Sequence, residues 1–130
     1  MRLLLAEDEK ALSSALQVIL KHNNYSVDAV YNGQDAYDYI MAGVYDGVIL
    51  DVMMPKMDGW QVCREIRAHS RVPIIMLTAK SDERDELMGF DLGVDEYISK
   101  PFSPKILVAR VEAILRRSGH GEQEDVLTCG

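Results

Sequence analysis

A chain of 130 residues with 48% hydrophobic composition is one domain's worth of polypeptide, long enough to bury a real core. Its net charge of −7 and pI near 4.9 argue against direct binding to nucleic acid, which needs a basic face for phosphate. No apolar run approaches membrane-spanning length, and Met1 leads straight into strand-like sequence without a signal peptide, so a cytoplasmic location is expected.

Residues 2–6 (RLLLA) predict a first buried strand. Residues 10–21 carry Leu12, Ala15, Leu16, Ile19 and Leu20, spaced as one apolar helix face. Residues 26–30 (SVDAV) predict a short second strand, and Asn32-Gly33 marks a turn before a helix to about Met41, closed by Gly43. Residues 46–50 (DGVIL) predict the third strand, followed by the loop MMPKMDG. Asp58 then caps a helix over about 59–68. Residues 73–78 (PIIMLT) predict the fourth and most apolar strand. Ser81 or Asp82 is positioned to cap a helix over about 83–91, ended by Gly93. Residues 95–99 (DEYIS) predict a short fifth strand. Pro104 suits the first turn of a final helix to Arg117, with Leu107, Val111, Ile114 and Leu115 on its inner face.

Alternating β and α units with continuously apolar strands predict an α/β fold. Its five-stranded parallel sheet would be doubly wound, with helices on both faces in three α/β/α layers. From Ser118 the texture changes. SGHGEQED is polar and Gly-containing like a linker, and VLTCG is an apolar fragment too short to fold alone. The chain is therefore expected to comprise one domain over 1–117 and a linker with the start of a further domain over 118–130.

Two local features stand apart. From Lys100 to Arg117, Lys100, Lys105, Arg110, Arg116 and Arg117 face the single acid Glu112, which suits a partner surface or a solvated helix face about equally. Cys63 and Cys129 lie far apart and match no metal spacing, as for thiols kept reduced in a cytosol.

The chemistry gathers behind the strands. Asp8 follows RLLLA, Asp51 follows GVIL, Thr78 follows VPIIML, and Lys100 follows EYIS. In open α/β sheets ligands bind outside the carboxyl ends of the strands, so these groups converge on one crevice. Mg²⁺ takes oxygen ligands at roughly 2.0–2.1 Å, commonly one or two carboxylates plus waters. Asp8 and Asp51 supply such a pair, and Glu7 can act through a water. Crowded carboxylates repel one another unless a cation joins them, and with a metal bound Asp51 can attack phosphorus to give an acyl phosphate. Thr78 offers a hydroxyl to a phosphoryl oxygen. The ammonium of Lys100 needs an anion, from a carboxylate or a phosphoryl group. Each residue alone has a plainer use, as a cap, a helix-dipole acid or a strand end. Lys100-Pro101 is a candidate cis peptide that sequence does not decide.

AEDE, then VILDVMMPKMDG, then IIMLTAK, then GVDEYISKPF, in that order, resembles the receiver domain of two-component response regulators over residues 1 to about 117. The resemblance implies a flavodoxin-like (CheY-like) fold, with Asp51 as phosphoacceptor for a histidine-borne phosphoryl group of a sensor kinase. It implies Mg²⁺ held by Asp8, Asp51 and the backbone carbonyl of Met53, with Glu7 acting through water. Thr78 and Lys100 would contact the phosphoryl oxygens, and Tyr97, three residues before Lys100, matches the family's switch aromatic. Met53 and Lys80 lie where the attack of water tunes the lifetime of the phosphorylated state.

GVDEYISKPFSPKILVARVEAILRR further resembles receivers of the OmpR/PhoB type, which fuse to a winged-helix DNA-binding domain. In that type, active receivers pair through the fourth helix, fifth strand and fifth helix, and Asp95, Glu96, Arg110 and Arg117 fall where cross-dimer partners are expected. One departure stands out. The usual pair of a basic residue and an acid is replaced here by Glu86 and Ile106. VLTCG resembles the first strand of the effector domain, through which any DNA contact would run.

Competing readings fit less well. Phosphohydrolases of the haloacid dehalogenase type carry a second Asp two residues after the nucleophile. Met53 stands there, so no enzyme activity is expected beyond the chain's own phosphoryl transfer and autodephosphorylation. A flavodoxin-like nucleotide or flavin binder wants a Gly-rich loop after the first strand, where AEDE is acidic. A contact-only pseudo-receiver would not need Asp8, Asp51, Thr78 and Lys100 together.

Overall fold

The computed structural model describes residues 1–78 and 93–117. Strands β1 (Arg2–Ala6), β2 (Ser26–Val30), β3 (Gly47–Asp51), β4 (Ile74–Thr78) and β5 (Glu96–Ser99) form one parallel sheet in the order β2-β1-β3-β4-β5. Helices α1 (Lys10–His22), α2 (Gly33–Ala42) and α3 (Gly59–Arg67) and a last helix, Pro104–Arg117, cover it.

Alternation along the strands divides the core between the two faces. Leu4, Ala6, Val48, Leu50 and Met76 pack with Ala36, Ile40, Val62 and Ile66 of α2 and α3. Leu3, Leu5, Ile49, Ile75 and Leu77 pack with Leu16 and Leu20 of α1 and Leu107, Val111 and Ile114 of the last helix. The strand order reverses between β1 and β3, so the crevice beyond their carboxyl ends is the switch point where such folds bind ligands.

Most local signals act as the residues dictate. Asp58 caps α3, its side chain accepting from Gln61 N at 2.9 Å. Asn32 is more than a turn marker. It caps α2, accepting from Asp35 N at 2.8 Å. Pro104 opens the last helix, and Lys100–Pro101 is cis. Some boundaries differ from expectation. Pro73 lies just before β4, where its carbonyl still accepts from Val48 N. Asp51 is the last residue of β3 rather than the first of the loop. On α1 the expected face-member Ala15 is exposed, while Ser13, spaced three and seven residues from Leu16 and Leu20, is buried. The helix expected over about 83–91, with its caps Ser81 or Asp82, lies outside the described residues, as does 118–130.

Candidate functional site

β1 delivers Glu7 and Asp8 past its end, β3 delivers Asp51, β4 delivers Thr78, and the turn after β5 delivers Lys100. One ligand oxygen from each of Glu7, Asp8 and Asp51 lies within 4.8 Å of the others. Asp8 is exposed, whereas Glu7 and Asp51 are buried. Sequence reading joins these groups, and the fold brings them together.

The geometry adds a feature the sequence did not specify. The ammonium of Lys100 lies 2.9 Å from Glu7 Oε1 and 3.2 Å from Asp51 Oδ2, holding two buried acids with one cation. Glu7 Oε2 accepts from Glu9 N at 3.0 Å, and Asp51 Oδ1 accepts from Met53 N at 3.3 Å. Burial pushes the Glu7 carboxyl above its ordinary range, with Asp51 adding to the shift while Glu9 N and Lys100 oppose it. Burial opposes the charge on Lys100, but its hydrogen bond to Glu7 and the nearby charge of Asp51 prevail and raise its pKa. Two of the three carboxylates share one ammonium here. Hard oxygen donors in that number, partly solvent-facing through Asp8, suit a small divalent cation.

Thr78 is buried at the end of β4, in register with Ser99, and its carbonyl accepts from Lys100 N at 2.7 Å. Met53 is exposed two residues past the end of β3. The backbone after Asp51 is tightly held at Gly59, which opens α3. Its N–H donates to Val52 O at 2.9 Å, and a Cβ there would lie 2.4 Å from Asp51 O. That close approach is what requires glycine.

Tyr97 is half-buried on β5, opposite Met76, with its ring 6.0 Å from that of Trp60 at 55°. Trp60 was not singled out from sequence. The signal was available, since a lone tryptophan directly after a capping Asp-Gly has to bury its ring against a neighbouring element.

The residues expected at a dimer surface have partners within the chain. Glu96 pairs with Arg110 at 2.7 Å, and Asp95 pairs with Arg67 at 3.1 Å. Arg117 is exposed at the end of the last helix, and Ile106 is exposed on it. Glu86 and Lys80 lie outside the described residues.

Residues 3–112 match the model of the response regulator receiver domain. The chain belongs to that family. It is 45% identical over 126 residues to "Response regulator ArlR" of Staphylococcus aureus, a match that covers 97% of this chain and 56% of that protein. The chain thus spans about half the length of the curated relatives it matches. Its fold is similar to a Francisella receiver domain, the response regulator 1452 (TM-score 0.86, 28% identity, covering 90% of this chain and 98% of that one). It is similar also to DrrB, an OmpR/PhoB homologue of Thermotoga maritima (TM-score 0.83, 32% identity, covering 90% of this chain and 53% of that one). Receivers are the shared element. No helix among the described residues is long and apolar enough to cross a membrane.

Proposed function

We propose that this receiver takes a phosphoryl group from a histidine of a sensor kinase onto Asp51, with Mg²⁺ present, and relays its phosphorylation to a DNA-binding output. The observation that supports this most is the cluster of Glu7, Asp8 and Asp51, with the ammonium of Lys100 bridging Glu7 and Asp51. Asp51 Oδ attacks phosphorus, the bond to the histidine nitrogen breaks, and the imidazole leaves with that electron pair.

Asp8, Asp51 and the carbonyl of Met53 would hold the Mg²⁺, with Glu7 acting through water. Bound there, the ion supplies positive charge that neutralises the acids and the phosphoryl oxygens. The chain's own residues do the rest. Lys100 moves from the carboxylates to a phosphoryl oxygen, Thr78 turns its hydroxyl to another, and Gly59 keeps the backbone of Asp51 fixed during attack. With Met53 in place of a second acid, no external substrate is turned over, and the role is that of a switch.

The output is a shift between two arrangements. Reversing a 1:99 population to 99:1 takes about 5.5 kcal/mol. Two or three bonds to a charged phosphoryl group, at roughly 1.5–3 kcal/mol each, span about 3–9 kcal/mol, a range that includes this. Inward movement of Thr78 leaves space toward Tyr97, whose packing on Trp60 then changes and alters the surface around β5 and the last helix. That surface carries pairing with a second copy, through Glu96, Arg110 and Arg117, and residues 118–130 lead from it toward a winged-helix effector domain. The location proposed is the cytoplasm.

The test is the intact mass of the chain after acetyl phosphate, with and without Mg²⁺. One Mg²⁺-dependent phosphoryl group on the natural chain and none on Asp51→Asn is the expected result. Equal uptake by both would remove Asp51 from the role.

A further inference from the structure

β5 is four residues long and lies at the sheet edge, with β4 as its one neighbouring strand. Its exit carries Lys100 to the acid cluster, so its seating decides where that ammonium arrives. Such a short edge strand has few ladder bonds to hold it, and its entry is where additional bonds are found.

Arg67, at the end of α3, supplies them. Its Nε and Nη2 donate to Gly93 O at 3.1 and 2.8 Å, and Nη1 donates to Val72 O at 2.7 Å and Ser70 O at 3.3 Å. Nη2 also reaches Asp95 Oδ2 at 3.1 Å. One planar fork therefore joins the loop entering β4 to the turn entering β5, a geometry that a lysine's point charge does not reproduce. Gly93 adopts φ +81°, which turns its carbonyl to the fork without a side-chain penalty.

Asp95 completes the connection to β4. The same Oδ2 accepts from Ile74 N at 2.8 Å, and Asp95 N donates to Ile74 O at 3.0 Å. Side chain and main chain both bind the first residue of β4. The Asp95 side chain is 40% exposed, and its Oδ2 is shared by two donors of its own chain.

We infer that Arg67 and Asp95 form an internal clasp that seats β5, and that both are positioning residues for Lys100. Asp95 then works within one chain rather than across a dimer. The clasp stands on the geometry alone, and only its consequence for phosphorylation rests on the function proposed above.

Because both bonds to Asp95 fall on one oxygen, Asp95→Asn can keep them while losing the charge, and Asp95→Ala loses both. The experiment is amide hydrogen exchange of the untreated full chain, read at residues 96–99 and, as internal control, at residues 2–6. Expected are exchange about tenfold faster at 96–99 in Asp95→Ala and in Arg67→Ala, near-natural exchange in Asp95→Asn, and no matching change at 2–6. Equal acceleration at both sites, no acceleration, or Asp95→Asn as fast as Asp95→Ala would overturn the clasp. A second readout is dimerisation of the phosphorylated chain, which Asp95→Asn should leave unchanged. Weaker dimerisation of Asp95→Asn with natural exchange would assign Asp95 to the interface instead. Lack of phosphoryl uptake by the natural chain would count against the proposed function and leave the exchange result to decide the clasp.

Discussion

The two edges of the sheet handle charge in opposite ways. At the carboxyl edge Glu7, Asp8 and Asp51 crowd together, and the Lys100 ammonium bridges only Glu7 and Asp51, leaving acid in excess. Near the amino edge acids are matched by donors. Asp28 receives Arg2 at 2.7 Å and the Tyr45 hydroxyl at 2.6 Å, and Asp95 receives Arg67 and Ile74 N. The Arg2 guanidinium also lies 4.8 Å over the Tyr45 ring. Matched charges lower the energy of the fold, whereas unmatched ones keep a place for something that arrives later. On the function proposed, the carboxyl edge receives and the amino edge holds.

The largest break of this contrast is at Asp51. Asp51→Asn should abolish phosphoryl uptake while leaving stability within about 1 kcal/mol, since relief of acid crowding offsets the lost contact with Lys100. Intact mass and urea unfolding of one sample check both halves.

Gly59→Ala comes next. A Cβ 2.4 Å from Asp51 O and 2.9 Å from the Val52 Cα meets backbone, which has to shift. A loss of roughly 1–3 kcal/mol in unfolding free energy is expected, with slower phosphoryl uptake because the acceptor is displaced. Normal uptake kinetics would show that the acceptor backbone tolerates movement.

Tyr45→Phe sharpens the comparison from the other edge. It removes the hydroxyl from Asp28 and, discounted for solvent screening, should cost about 1 kcal/mol while phosphoryl uptake stays at its natural rate. A change in uptake would mean that the two edges are coupled.

The smallest effects are in pH. Burial, then the hydrogen bond to Asp28, pushes the Tyr45 hydroxyl from 10.0 up to about 12. Its contribution is complete below pH 10.0 and declines as pH rises through about 12. The Tyr45 hydroxyl and Arg2 hold Asp28 below its ordinary 3.8, so its contribution is present above pH 3.8 and is lost as pH falls through its lower folded value. Unfolding curves of the natural chain should decline in both windows, and Tyr45→Phe should flatten the alkaline one.

The sequence made the sheet and the acid cluster legible because each rests on local pattern. Continuously apolar strands with a polar residue behind each one specify both the burial and the edge where Asp8, Asp51, Thr78 and Lys100 meet. The clasp was not legible. Arg67 belongs to no motif, and its partners Val72, Gly93 and Asp95 are carbonyls and a carboxylate brought close only by the crossing of α3, β4 and β5. For the same reason the resemblance offers Asp95 only a cross-dimer partner, and its pairing with Arg67 is seen only in the fold. The motif fixes its position just before β5, but its partner within the chain is set by tertiary geometry. Trp60 lay between these cases, visible as a lone aromatic yet without a partner until β5 supplied Tyr97.

The most direct test of the contrast between edges is the melting temperature of the natural chain and of Asp51→Asn, each with and without Mg²⁺. The natural chain should gain about 1.4 kcal/mol at a Mg²⁺ concentration tenfold above its dissociation constant, and Asp51→Asn should lose most of that gain while matching the natural chain in metal-free buffer. A metal-free Asp51→Asn that melts far lower, yet gains as much from Mg²⁺, would show that Asp51 holds the fold and does not receive the ion.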